Sequence, residues 1–184
     1  MILDIWRNAS PRRKRIYSMI VVFVVAVIIT VIGSLVPVDA QEANRINDEF
    51  NTTVASLGEE GVLTQFIFGN NFIICLLMFT PIIGPILGFY ALFSTGMVVS
   101  AIATAEGYPL ILVFFSLVLT PVFWLEFAAY SIAISESVWL FRRILQGRSR
   151  GWRELKTAGF LVSICAMVLL MGAVVEVALI SIVG

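Results

Sequence analysis

Residues 61–105 read GVLTQFIFGNNFIICLLMFTPIIGPILGFYALFSTGMVVSAIATA, forty-five positions without one Asp, Glu, Lys or Arg. A helix needs roughly 20 residues to cross the roughly 30 Å of hydrocarbon in a bilayer, so the block has length for two crossings. Thr80-Pro81-Ile82-Ile83-Gly84-Pro85 supplies the break. Its two prolines remove backbone donors and disfavour helix at the residue before each ring. The expected elements are a crossing over 62–80 and another over 86–105.

The rest of the chain has the same character. Hydrophobic residues make up 60% and charged residues 13% of its 184 positions, against about 45–50% and about 25% in an ordinary soluble domain. A soluble fold of this size has too little interior for so much apolar surface. Three more apolar blocks flank the first: Ile16–Val36, Tyr108–Leu140 and Thr157–Gly184. They predict crossings over 16–36, 109–141 and 157–183. The fold class is therefore all-α, a single polytopic transmembrane bundle of about five crossings.

Charge placement tests that number. The formal net charge is zero, yet eleven of the twelve cations fall in two groups. Arg7, Arg12, Arg13, Lys14 and Arg15 form one; Arg142, Arg143, Arg148, Arg150, Arg153 and Lys156 form the other. The positive-inside rule assigns both to the cytoplasmic side, so an even number of crossings separates them. Four satisfies this, as does a re-entrant hairpin over 62–105 that enters and leaves from outside. Residues 1–15 and 142–156 are then inside, and the C-terminus outside. The first apolar stretch is longer than the 7–15 residues of a signal sequence and reads as an uncleaved crossing in the plasma membrane. Upstream of it, Met1–Asn8 reads either as an interfacial segment on the inner leaflet or as a frayed end.

The segment 37–61 falls outside the membrane. It sets six acidic residues against Arg45, with a short surface helix expected over Asn44–Val54. Asn51-Thr52-Thr53 matches a glycosylation sequon.

Chemistry is sparse. The chain has no histidine, the commonest metal ligand and neutral-pH general base. Cys75 and Cys165 lie inside apolar blocks, form no metal-binding pair by spacing, and read as small buried hydrophobes. No glycine-rich phosphate loop or nucleophile elbow occurs. The expectation is no catalytic residue, no metal and no cofactor. The expected partners are the lipid bilayer and other membrane subunits, with nothing pointing to nucleic acid.

What remains are polar residues at membrane depth: Glu126, Glu176 and the pair Asn70-Asn71. An ionised carboxylate there costs roughly 2.5–3.5 kcal/mol on insertion scales and is a functional candidate. Its uses are a proton or solute site or a seat for a partner; the structural alternative is an interhelical hydrogen bond. Glu136, nearer the cytoplasmic end, is expected to pair with Arg142 or Arg143. Pro81, Gly84, Pro85, Gly88 and Pro121 are the break and packing candidates. Gly84 and Gly88 form a GxxxG pair, with Ser94, Gly96, Ser100 and Ala101 further along. Small residues let helices approach closely in lipid.

These residues resemble the stage II sporulation protein M family of integral membrane proteins over about 62–183. Asn70-Asn71 and Gly84, Gly88 and Gly96 fit its early part. Pro121, Leu125, Glu126 and Ala129 fall in register with its Pro-His-Gly-(x)2-Glu-(x)-Pro-Ala core, and Gly172–Glu176 fits its end. Val122, Phe123 and Ala128 depart from the family's His, Gly and Pro, so no role of that histidine carries over. The resemblance implies a membrane scaffold whose soluble partners do the chemistry. A non-catalytic subunit of a larger complex is thus the first expectation, for envelope remodelling or for a multi-subunit membrane enzyme. The second is a small transporter with Glu126 and Glu176 lining a path opened at Pro81–Pro85.

Overall fold

The computed structural model describes residues 10–146 and 151–183. Met1–Asn8, Arg148 and Arg150, named above, lie outside them. Among the described residues there are seven helices and no strand: α1 (Pro11–Ser34), α2 (Ala40–Glu59), α3 (Leu63–Met78), α4 (Ile83–Glu106), α5 (Leu110–Leu119), α6 (Pro121–Leu145) and α7 (Gly151–Val183). Three contain stretches long and apolar enough to cross a membrane, over Arg12–Ser34, Ile83–Glu106 and Glu154–Ile182. The pair α5–α6 counts as a fourth when taken together. A helical membrane protein with three to four candidate spans is the result.

Two differences from the expected helices have clear causes. The crossing expected over 109–141 is broken: α5 and α6 meet at an angle of 77°. Pro121 disfavours helical backbone at the preceding residue, and Thr120 is extended (φ −74°, ψ 140°). The Thr120 hydroxyl donates to the Leu117 carbonyl at 2.7 Å and accepts from the Phe123 amide at 3.4 Å. It thus serves the end of one helix and the start of the next. Trp124 Nε1 donates to the Val118 carbonyl at 2.9 Å, which satisfies another carbonyl at the end of α5. The crossing expected over 62–80 is shorter than its apolar run, because α3 has 16 residues, or about 24 Å at 1.5 Å per residue.

The break between α3 and α4 falls at Thr80–Pro81, as its prolines predict. Ile82 occupies φ 72°, ψ −58°, and the Ile83 amide donates to the Pro81 carbonyl at 2.9 Å. That is a γ-turn, a strained geometry for a β-branched residue. α4 starts earlier than expected, at Ile83, with Pro85 in its first turn, where a backbone N–H would have no intrahelical partner to lose.

Helix directions follow from the contacts. Val36 accepts from Ser100, and Gly33 lies on Phe93, so α1 and α4 run parallel. Ser18 meets Ser135, and Phe23 meets Phe127, so α6 runs against α1. Asn71 meets Glu126 and Thr80 meets Ser137, so α3 runs with α6. Cys165 meets Ala129, and Gly172 lies beside Leu125, so α7 runs against α6. In chain order α1, α3, α4, α6 and α7 thus alternate in direction.

Backbone contact between helices rests on glycine. A Cβ at Gly96 would lie 2.1 Å from the Thr30 carbonyl oxygen, and one at Gly33 would lie 2.2 Å from that of Phe93. Gly84 and Gly88 are also buried, against the Met78 backbone and the Ile134 side chain. The GxxxG pair is thus used within the chain. Around these seams packs a core that includes Leu92, Phe123, Phe127, Ile134 and Leu169.

Outside the bundle, α2 is a full helix where an 11-residue piece was expected. Asp39 caps it by accepting from the Gln41 amide at 3.0 Å, and Gly61 turns the chain away beyond its end at φ 70°. Ala43 is its buried residue, and Asn47 donates to Glu106 of α4 at 2.7 Å. Arg45 pairs with Glu42 and faces Glu49; its hydrogen bond holds the Glu42 carboxyl below the usual carboxylate range. Asn51 is exposed on this helix.

Candidate functional site

The polar residues singled out at membrane depth converge. The Thr120–Pro121 corner fixes where α6 begins, which sets Glu126 five residues, or about 7.5 Å, along it. Asn71 of α3 donates from Nδ2 to Glu126 Oε1 at 2.5 Å. Glu176 of α7 lies within electrostatic reach of Glu126, one turn beyond Gly172, which lies beside Leu125. Tyr130 follows Glu126 by four residues and so shares its helix face. Asn71, Glu126 and Tyr130 line a cavity of about 450 Å³ with Asn70, Ser94 and Thr95.

That cavity is a groove with an open side. Its rim carries Leu77 (49% exposed), Leu87 (37%), Tyr90 (69%) and Val98 (37%). A soluble protein rarely leaves such residues uncovered, and in a bilayer they face lipid or another helix. The arrangement is apolar walls with a few convergent polar groups at the floor, the usual composition of a binding site. No Lys or Arg is among its lining residues.

A second polar cluster joins α1, α6 and α7 at the other end of the bundle. Here the expected pairing of Glu136 with Arg142 or Arg143 does not form. Arg142 and Arg143 stand six and seven positions along the same helix, beyond the three- or four-residue spacing that brings side chains together. Arg15 of α1 comes instead, with Nη2 3.6 Å from Glu136 Oε1. Arg15 also pairs with Glu154 of α7, which Arg143 approaches at 3.6 Å. The Arg15 and Arg142 guanidinium groups lie 5.7 and 5.8 Å from the Trp139 ring centre. Glu136 is fully buried, and neither of its carboxylate oxygens has a hydrogen-bond partner among the described residues. Sequence reasoning missed Arg15 and Glu154 because their partners are far away along the chain.

Cys75 and Cys165 are both free and buried. They are neighbours across the α3–α7 contact, a proximity their spacing gives no hint of. The Cys165 thiol donates to the Ala129 carbonyl at 3.5 Å. Among the described residues no group of three or more Cys, Asp or Glu side chains is arranged to hold a metal ion. Comparison with protein-family models, with curated proteins and with solved structures found no match to this chain.

Proposed function

We propose that this chain is a non-catalytic integral membrane subunit that assembles or anchors a larger membrane complex, for envelope remodelling or for a multi-subunit membrane enzyme. One observation carries this reading: the groove between α3 and α4, with Asn71 and Glu126 inside and exposed Asn70, Leu77, Leu87, Tyr90 and Val98 at its rim. Polar groups at membrane depth are costly unless something completes them. A groove rimmed by exposed apolar side chains suits another membrane segment better than a solute arriving from water. The resemblance to the stage II sporulation protein M family points the same way.

The proposed topology has five crossings in the plasma membrane, the N-terminus inside and the C-terminus outside. The alternation of helix directions supports it. Thr80, at the foot of α3, hydrogen-bonds Ser137, the neighbour of the Arg15 partner Glu136. The foot of α3 is thereby level with the first basic group, which favours a full crossing over a re-entrant hairpin despite the short helix.

The competing reading is a transporter, favoured by the proximity of Glu126 and Glu176. It needs a path at the helix break. The break contacts Ser137, eleven residues or about 16 Å along α6 from Glu126, which weakens that link. Purification from native membranes in mild detergent tests the proposal. Stoichiometric co-purifying membrane chains are expected. A lone homo-oligomer that carries proton-coupled flux in liposomes, abolished by Glu126→Gln, would replace this reading with transport.

A further inference from the structure

The groove has a chemical asymmetry that specifies what would fill it. Its floor is acidic. Asn71 gives Glu126 one hydrogen bond, to Oε1; among the described residues no second donor reaches the carboxylate, so Oε2 is left for an incoming group. Glu176 adds a second carboxyl within electrostatic reach. No Lys or Arg lines the cavity. Among the described residues, Arg15 and Arg143 form ion pairs in the cluster at the other end, and Arg45 forms one on α2. Among the described residues no ion pair forms to either of these two acids.

The shape of the groove selects the kind of cation. Its lining runs from Leu87 to Val98 along α4, eleven residues or about 16 Å. That is three helical turns with Leu87, Tyr90 and Val98 exposed along them, which matches a helix laid into a groove by residues one turn apart. Tyr90 and Tyr130 line the same cavity as Glu126, and aromatic faces attract ammonium and guanidinium groups. A second copy of this chain is a poor occupant. Eleven of its twelve cations sit in the two groups flanking the apolar blocks, and Arg45 lies on α2.

Building on the scaffold reading above, we propose that the groove receives a transmembrane helix of a different protein, and that a Lys or Arg in the middle of that helix pairs with Glu126. The cation would cost its own helix roughly 2.5–3.5 kcal/mol to insert alone. Pairing it with Glu126 offsets the burden on both sides and fixes the register of the two helices.

Site-directed cross-linking in native membranes tests this. Tyr90→Cys, carrying a benzophenone on its thiol, puts a photoreactive group on the rim, while buried Cys75 and Cys165 are shielded from labelling. The expected adduct is a transmembrane peptide of another protein with Lys or Arg within about one helical turn of the attachment point. Adding Glu126→Gln, which keeps the shape and an acceptor for Asn71, should lower adduct yield about tenfold or more, since truncating one partner of a desolvated charge pair is costly. Glu126→Asp should recover part of the yield. A melting temperature of the Glu126→Gln chain matching that of the parent keeps folding out of the comparison. If Glu126→Gln lowers that temperature, the peptide map alone decides the result. An adduct peptide from a different protein with no basic residue, or an unchanged yield in Glu126→Gln at matched stability, would overturn the cation pairing and leave the docking role standing. An adduct to this chain's own sequence, to lipid only, or no adduct would overturn both.

Discussion

Helix α4 has two faces that solve the same problem in opposite ways. One carries Gly84, Gly88, Leu92, Gly96 and Ser100, spaced four residues apart and all buried. It is sealed against α1, the Met78 backbone and α6, and its polar atoms are satisfied: Ser100 donates to the Val36 carbonyl at 2.9 Å. The other carries Leu87, Tyr90, Ala91, Ser94, Thr95 and Val98, which line the open groove. The sealed face consists of residues that permit backbone approach. The open face mixes large apolar side chains with hydroxyls beside a carboxylate. One face holds the bundle together, and the other stays open.

Equal changes on the two faces are expected to have unequal effects. The largest belongs to Gly96→Leu. Its Cβ meets the Thr30 carbonyl oxygen, a backbone atom that cannot swing aside, so a loss of about 3 kcal/mol or more is expected. It should appear as a large fall in melting temperature in detergent or a failure to accumulate. Gly96→Leu with parental stability would mean that α1 and α4 are not in this contact.

A smaller pair of changes sharpens the contrast. Ser100→Ala removes the hydrogen bond to Val36 on the sealed face and should cost about 1 kcal/mol. Thr95→Ala removes a hydroxyl that serves its own helix on the open face, donating to the Ala91 carbonyl. It should cost less than about 0.5 kcal/mol. Thermal melts of the two variants side by side give the ranking; the reverse order would break the comparison.

The smallest effect lies outside the bundle, on α2. Because Arg45 holds the Glu42 carboxyl below its ordinary range, the pair contributes above the unfolded-state value for a carboxyl. The contribution is lost as pH falls through the lowered one. Both side chains are exposed, so water and salt screen the pair. Arg45→Ala should therefore leave the melting temperature nearly unchanged at neutral pH, and the small difference should vanish in strong acid.

Much of this architecture was legible in the sequence. The uncharged run at 61–105, the proline break and the small-residue stripe on α4 all act locally, and local pattern reports them. The bend at Thr120 was not legible. The apolar run passes through it without a change in hydropathy, and Pro121 gives no sign by itself of whether the chain kinks there or turns a corner. The full length of α2 was hidden in the same way, since its polar sequence carries no membrane signal and its start depends on the Asp39 cap. The candidate site was legible as a roster: Glu126, Glu176, Asn70 and Asn71 stand out by their cost in lipid. Their meeting was not. Asn71 and Glu126 are 55 residues apart, and only the parallel run of α3 and α6 brings them together. Arg15 and Glu136 are 121 apart, and for Glu136 the nearby arginines on its own helix were a false lead.

The most direct measurement is the subunit composition of the complex released by mild detergent from native membranes, comparing the parent chain with Val98→Trp. Val98 stands on the rim of the groove and is exposed, so an indole there fills the opening without disturbing the sealed face. The account predicts stoichiometric partner chains with the parent, and loss of the partner from Val98→Trp while its own melting temperature holds. Full retention of the partner by Val98→Trp, or a parent chain that purifies without any partner, would contradict it.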